Sequence, residues 1–478
     1  MDKRLEVQAQ KAVNYKGRTA LGDITKDDIP LFVVPPNQDQ EILQAILGAL
    51  QEKGMKKADV IYEHDLLGIP YDELVRHNGA EGWKEILYFQ PSMAEFMTSR
   101  GIAEMPPGRT PKLEIIGEPL AEYLRKHPQY TFVCVGTAGA GHMQNAMKDQ
   151  RGKLKSLWEH MSEERFLSNF VLYPDEIVNM LDRKVLGMAA RVEEIRCTDP
   201  CGTYFTCPVD EEEAAIWAKS QEIAPTSHLL GLPLMGVRLM TMRYLLKPAM
   251  IKVPKSNGVL AGTCGHYGYY PHIKAYIKDG WVERVEGGGK MGELLNEVMA
   301  RTRDIQFPDF PKPGWLYVNG AAIGTNPKGF RNKDMFDSLE RLPNSFDRLR
   351  SGVIHWDMGG ESYSDEFVNF CKEHKLPRKH SWHIHTYLNT FEVRFRGSME
   401  WQKIIDNGHL TALDDPEVIA LAARYGDPKE LLKEDWSPII PGVNYPGDYM
   451  RDFGNDPAAW VWKEVNGLLP QTIGCDMK

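Results

Sequence analysis

HIKAYIKDGWVERVE, residues 272–286, alternates apolar and polar side chains on both sides of Asp279 and Gly280. Alternation with a period of two marks a half-buried strand, and Asp-Gly tolerates the positive φ angles of a tight two-residue hairpin turn. The stretch therefore predicts two antiparallel strands. Working outward, VLAGT (259–263) adds a third strand, and RVEEIRCTDPCGTYFTCP (191–208) reads as strand, turn and strand. One helix, from Lys290 to about Thr302, interrupts the run. Short strands joined by turns, with a single helix among them, predict a β-rich α+β domain.

Before residue 188 the texture is different. DQEILQAILGALQEK (39–53) carries its apolar residues at helical spacing, and ADVIY (58–62) reads as a short strand. Helices at 81–101 and 119–127, a buried strand YTFVCVG (130–136) and a helical stretch from about 151 to 190 continue the alternation. Such alternation predicts an α/β layer with a parallel sheet. GTAGAGH (136–142) follows a strand where a nucleotide loop would sit, but its glycines match neither dinucleotide nor P-loop spacing, so it reads as a tight strand-to-helix turn. The chain divides into an α/β domain (1–188), a β-rich α+β domain that carries the site (189–413) and a C-terminal extension (414–478). Trp436, Trp460 and Trp462 predict that this extension is ordered, because aromatic side chains are costly to leave in water.

Composition narrows the function. The formal charge is −9, and no Lys/Arg stripe interleaved with aromatics appears, which argues against a nucleic-acid surface and for a small-molecule partner. No apolar run approaches the roughly 20 residues of a membrane span, and MDKRLE at the start lacks a signal-peptide core, so a cytoplasmic, non-membrane protein is expected, with homo-oligomerisation open. The seven cysteines are scattered and read as reduced thiols. Cys197, Cys201 and Cys207 lie close together, but their spacing is not the paired Cys-x-x-Cys of structural zinc.

Chemistry concentrates in VIHWDM (353–358) and KHSWHIHTY (379–387). Because strand side chains alternate, His355 and Asp357 point one way together, as do His383 and His385. Imidazole and carboxylate suit zinc or non-heme iron, and two His with one carboxylate leave positions open for substrate or oxygen. His383, His385, Asp357 and His355 are the expected metal residues, and His380 reads as a surface or supporting residue. GHYGYYPH (265–272) gathers aromatics, histidines and flexible backbone, a mix that lines small-molecule pockets, although a plain aromatic turn needs no function. His266 is the expected acid/base, Tyr267 a pocket residue, and His272 a strand cap or substitute ligand. Arg238 and Arg243, within the apolar run LMGVRLMTMR (234–243), need a buried acidic partner or an anionic substrate.

Several motifs resemble the M29 metallopeptidase family, a branch of which comprises the Fe(II)-dependent 2,5-dihydroxypyridine 5,6-dioxygenases. They are KSNGVLAGT (255–263), IKAYIKDGWVERVEGGGKMGELL (273–295), RCTDPCGT (196–203) and AIGTNP (322–327). The resemblance covers about residues 190–410. It implies that His383 and His385 occupy the family's late-strand His-x-Asp pair, with imidazole in place of the carboxylate. Asn319-Gly320 stands where a further ligand falls, so Asp357 or His355 would replace it. The glutamates of a two-metal peptidase would fall near 231–238 and 319–320, where this chain has none.

Together these features predict a mononuclear Fe(II) enzyme, with Zn or Mn as alternative ions. The expected reaction is ring-cleaving dioxygenation of a small hydroxylated aromatic or heteroaromatic acid. A mononuclear metal-dependent hydrolase and a metal-free binding protein on the same scaffold are the alternatives.

Overall fold

Apolar runs bounded by turn residues become strands of three sheets in a computed structural model. It describes residues 2–15, 20–34, 38–68, 113–135, 154–156, 162–212, 214–215, 237–238, 253, 255–265, 268–332, 347–359, 365–374 and 382–469. The first sheet is parallel, in the order β2-β1-β3-β4, from β1 (Pro30–Val34), β2 (Asp59–Tyr62), β3 (Phe132–Val135) and β4 (Leu154–Ser156). PLFVV is buried at every position because helices cover both faces, the usual state of a parallel strand. Phe32 and Val34 meet Ile42, Ile46, Ala49 and Leu50 of the helix Gln40–Glu52, while Leu31 and Val33 meet Leu120 and Leu124 of the helix Leu113–Lys126. Asp39 starts the first of these helices by accepting from the N–H groups of Glu41 and Ile42 at 2.9 and 3.1 Å.

Two sequence expectations need correction here. The helix expected at 119–127 begins at Leu113 and carries Pro119 inside it, so that proline is not the start signal it resembles. The stretch expected as helix from 151 to 190 is broken into β4 and the helices Glu163–Phe166 and Asp175–Leu186. Pro174, extended at the N-cap of the last, cannot continue a helix across that point. The expected helix at 81–101 and the turn at 136–142 lie outside the described residues, except for Val135 beside that turn.

The β-rich region follows the alternation closely. Its large antiparallel sheet runs β10-β9-β8-β6-β5-β14-β15-β16. These strands are β5 (Val192–Asp199), β6 (Thr203–Pro208), β8 (Asn257–Gly265), β9 (Gly268–Lys278), β10 (Trp281–Gly287), β14 (Thr390–Phe395), β15 (Trp401–Asp406) and β16 (His409–Leu410). Asp279 and Gly280 turn the β9–β10 hairpin with φ of 49° and 83°, the paired positive angles that a type I′ turn demands. A smaller antiparallel sheet, β13-β12-β11-β7, comprises β7 (Val237–Arg238), β11 (Val318–Ile323), β12 (Ile354–Met358) and β13 (Trp382–Thr386). It packs on the large sheet: the rings of Phe205 on β6 and Trp356 on β12 are 4.8 Å apart. The helices Asp175–Leu186 and Lys290–Thr302 join the same core.

Residues 414–469 fold against the β-rich region, and buried cations hold them. Lys328 Nζ donates to the carbonyls of Glu430 and Lys433 and to the Asp435 carboxylate, at 2.6, 2.7 and 2.7 Å. Arg350 Nε donates to the Trp436 carbonyl at 2.6 Å. Among the described residues no helix is long and apolar enough to cross a membrane.

His409 joins this clasp, with Nδ1 3.2 Å from Glu434 and Nε2 3.0 Å from Asp414. The Glu434 hydrogen bond, reinforced by Asp414, pushes its pKa up to about 9 against the opposing effect of burial. A raised folded-state pKa means that the stabilisation is complete below about pH 6.5 and is lost as pH rises through about 9. The thermal midpoint of the wild type should therefore fall more steeply between pH 6.5 and 9.5 than that of His409→Gln. Parallel curves for the two proteins would show that the clasp does not titrate as described.

Candidate metal centre

β12 and β13 are both short and antiparallel, and their register pairs His355 with His385, Trp356 with Ile384, and Asp357 with His383. Alternation sends Ile354, Trp356, Met358, Trp382 and Ile384 into the core. Directly paired residues share a face, so His355, Asp357, His383 and His385 all stand on the opposite side. The next strand continues these two rows with small residues: Gly320 lies opposite Asp357 and Ala322 opposite His355. Gly320 thus borders the histidine face.

The face is nearly closed to solvent, with His355 and His385 each 2% exposed and His383 7%. His383 Nε2 and Asp357 Oδ1 are 3.6 Å apart. Two donors that grip one ion at about 2.1 Å each stand roughly 3 Å apart, so this pair fits a shared ion with little adjustment. The rings of His355 and His385 stack with centroids 4.7 Å apart at 29°, and those of His383 and His385 meet edge-on at 6.4 Å. Among the described residues no three His, Cys, Asp or Glu side chains converge as a metal site would.

Electrostatics favour neutral imidazole here. Burial first, then the charges of His355, His383 and Arg348, push the pKa of His385 well below its ordinary value. Neutral imidazole is the form that ligates metal. His355 Nε2 lies 2.6 Å from the Arg348 carbonyl, which can only accept, so Nε2 carries a proton and donates it in that hydrogen bond. A ring nitrogen donating to a backbone carbonyl is the usual way of fixing a ligand histidine.

Other expected residues fall elsewhere. His266, Tyr267, Arg243 and His380 lie outside the described residues, as do the side chains of Arg238 and Asn319. His272 sits in the large sheet, with Nε2 2.8 Å from the Cys201 carbonyl and its ring edge-on to Tyr449. Cys197 and Cys207 are buried in the main core, outside any disulfide, and Cys201 occupies the β5–β6 turn.

Sequence reasoning missed the residues that hold the histidine strand. Tyr270 Oη reaches the carbonyls of both His383 and Cys264 at 2.7 Å. Only the aromatic density of GHYGYYPH hints at it. A cavity of about 10 Å³, room for one water, lies behind His385 and is lined by Asp199, Cys201, Thr263, Arg331 and Tyr449.

No family model matches the chain, and no curated protein is similar to it. Among solved structures it is similar to a 2,5-dihydroxypyridine dioxygenase from Pseudomonas putida KT2440, at 10% identity and a TM-score of 0.43, over 86% of this chain and 98% of that one. It is also similar to AmpT from Thermus thermophilus, at 12% identity and a TM-score of 0.42, over 85% of this chain and 99% of that one. Likeness at this level carries no residue role, ligand or substrate across to this chain.

Gly262 on β8 allows the sheets to approach, because a Cβ there would stand 2.6 Å from Ile384 Cγ2 and 3.2 Å from the His385 carbonyl. Gly262→Ala should cost about 1–3 kcal/mol, the usual scale of overpacking, and displace β13. Chemical denaturation checks the first and the NMR signals of His383 and His385 the second. An alanine variant with unchanged stability and unchanged histidine signals would contradict this packing.

Proposed function

We propose that the chain is a mononuclear non-heme Fe(II) enzyme that cleaves the ring of a small hydroxylated aromatic or heteroaromatic acid with dioxygen. The observation that carries this reading is the cross-strand array: three imidazoles and a carboxylate in register on one nearly buried face, with His383 Nε2 and Asp357 Oδ1 3.6 Å apart. Asp357 and His383 are the donors already adjacent, and His385, kept neutral by burial, is proposed as the third. His355 stands beside them with its tautomer held by Arg348. When bound, Fe(II) supplies the redox chemistry that couples dioxygen to an electron-rich ring.

The remaining work falls to the chain itself. Gly320 and Ala322, small residues, stand beside Asp357 and His355 in the next strand. Burial of the face excludes water and strengthens every charge interaction within it. In this reading His266 takes the proton of the substrate hydroxyl, Tyr267 lines the pocket, and Arg243 pairs with the substrate carboxylate. The sequence resemblance favours oxygenation over hydrolysis. The absence of glutamates at 231–238 and 319–320 favours one ion over two.

Protein purified anaerobically should bind one Fe(II) per chain and consume oxygen with a hydroxypyridine or catechol acid. Asp357→Asn, which keeps shape but removes the balancing charge, should lose metal severely, whereas His355→Gln should lose roughly 10 to 100-fold in affinity. Native metal content in Asp357→Asn would move the site off this face. Two tightly held ions, both needed for turnover, would replace the mononuclear reading with a hydrolytic one.

A further inference from the structure

A buried charge relay runs from the C-terminal extension to the histidine face. Arg331 is 2% exposed at its side chain, yet carries a full charge between two carboxylates: Nη1 is 2.6 Å from Glu464 Oε2 and Nε is 3.3 Å from Asp347 Oδ2. Its guanidinium lies over the rings of Trp436, Tyr387 and Tyr269, at 4.7, 5.5 and 5.7 Å. Trp436 Nε1 donates to the other Glu464 oxygen at 2.9 Å, and Tyr387 Oη donates to Asp347 Oδ2 at 3.1 Å. Asp347 opens the short turn Asp347–Leu349, whose next residue, Arg348, presents the carbonyl that accepts a hydrogen bond from His355 Nε2–H.

Burying three charges costs several kcal/mol per ion, and an apolar anchor of the same shape would hold a turn as well. Charged groups hold one geometry where apolar groups slide, because each guanidinium N–H and carboxylate oxygen has a direction. The end of this relay that needs a direction is the Arg348 carbonyl. We infer that Glu464, Arg331 and Asp347 are positioning residues: they fix the turn so that the Arg348 carbonyl holds His355 in one orientation and one tautomer, with Nε2 protonated. The C-terminal extension is then part of the site's construction, since Glu464 lies on its last described helix, Pro457–Val465. Calling the face a metal site rests on the proposed function, but the tautomer does not.

The test uses the full chain, free of metal, with ¹⁵N-labelled histidine, and reads the His355 tautomer from its ring-nitrogen shifts. Wild type should show a single Nε2–H form. Glu464→Gln, which keeps shape and removes charge, should give a mixture of tautomers, and Glu464→Asp should restore the single form in part. Trp436→Phe keeps the ring under Arg331 and removes only the donor to Glu464, so it gives the same reading in a milder, foldable variant. With metal added, affinity should fall about 10 to 100-fold in Glu464→Gln. Variants that lose thermal stability while His355 keeps its single tautomer would overturn the inference and leave the relay a packing feature. A wild type with the single tautomer and no metal affinity would sink the metal reading and leave the positioning relay standing.

Discussion

The register between β12 and β13 is the constraint on which the histidine face depends. Strand side chains repeat every two residues, so a slip of one position would send His355, Asp357, His383 and His385 into the core and bring Trp356 and Ile384 out. Burial of Trp356, Trp382 and Ile384 against the large sheet therefore selects the polar face as much as the core. The same packing draws β8 close to β13 at Gly262, and Tyr270 ties the His383 backbone to the end of β8. Hydrophobic burial on one side of the small sheet thus sets the polar face on the other.

Charges buried outside that face have a different task. Lys328 and Arg350 each combine backbone carbonyls of the C-terminal segment with one of its carboxylates, Asp435 at 2.7 Å and Glu434 at 3.2 Å, which fastens it. Arg331 is held between two carboxylates in an aromatic surround. A guanidinium suits that place because its donors are fixed in a plane and its flat faces stack on rings. The extension consequently closes over the edge of the domain, where Ile440, Tyr449 and Phe453 help wall the small cavity behind His385.

Strand alternation made most of the β-rich region legible in the sequence. The Asp279–Gly280 hairpin, the strand pair around Asp199 and the helix Lys290–Thr302 all stand where residue pattern puts them. Period also put His383 and His385, and His355 and Asp357, on common faces. It could not show that the two pairs share one face, because pairing partners are set by the stacking of sheets rather than by local pattern. Helix ends in the α/β layer were harder to read. Pro119 looks like a start signal and lies inside a helix, and a short strand at Leu154–Ser156 hides in a stretch of helical composition. The relay through Arg331, Asp347 and Glu464 had no sequence signal, since its members are far apart along the chain and only folding brings them together.

The central claim is that one ion sits on the β12–β13 face between Asp357 and His383. Crystals grown anaerobically with Fe(II) and measured at the iron edge test it most directly. The account predicts a single anomalous peak on that face, about 2.1 Å from a nitrogen of His383 and from an oxygen of Asp357, with His385 turned to complete the set. A peak bound away from these strands, or two peaks about 3.5–4 Å apart, would contradict it.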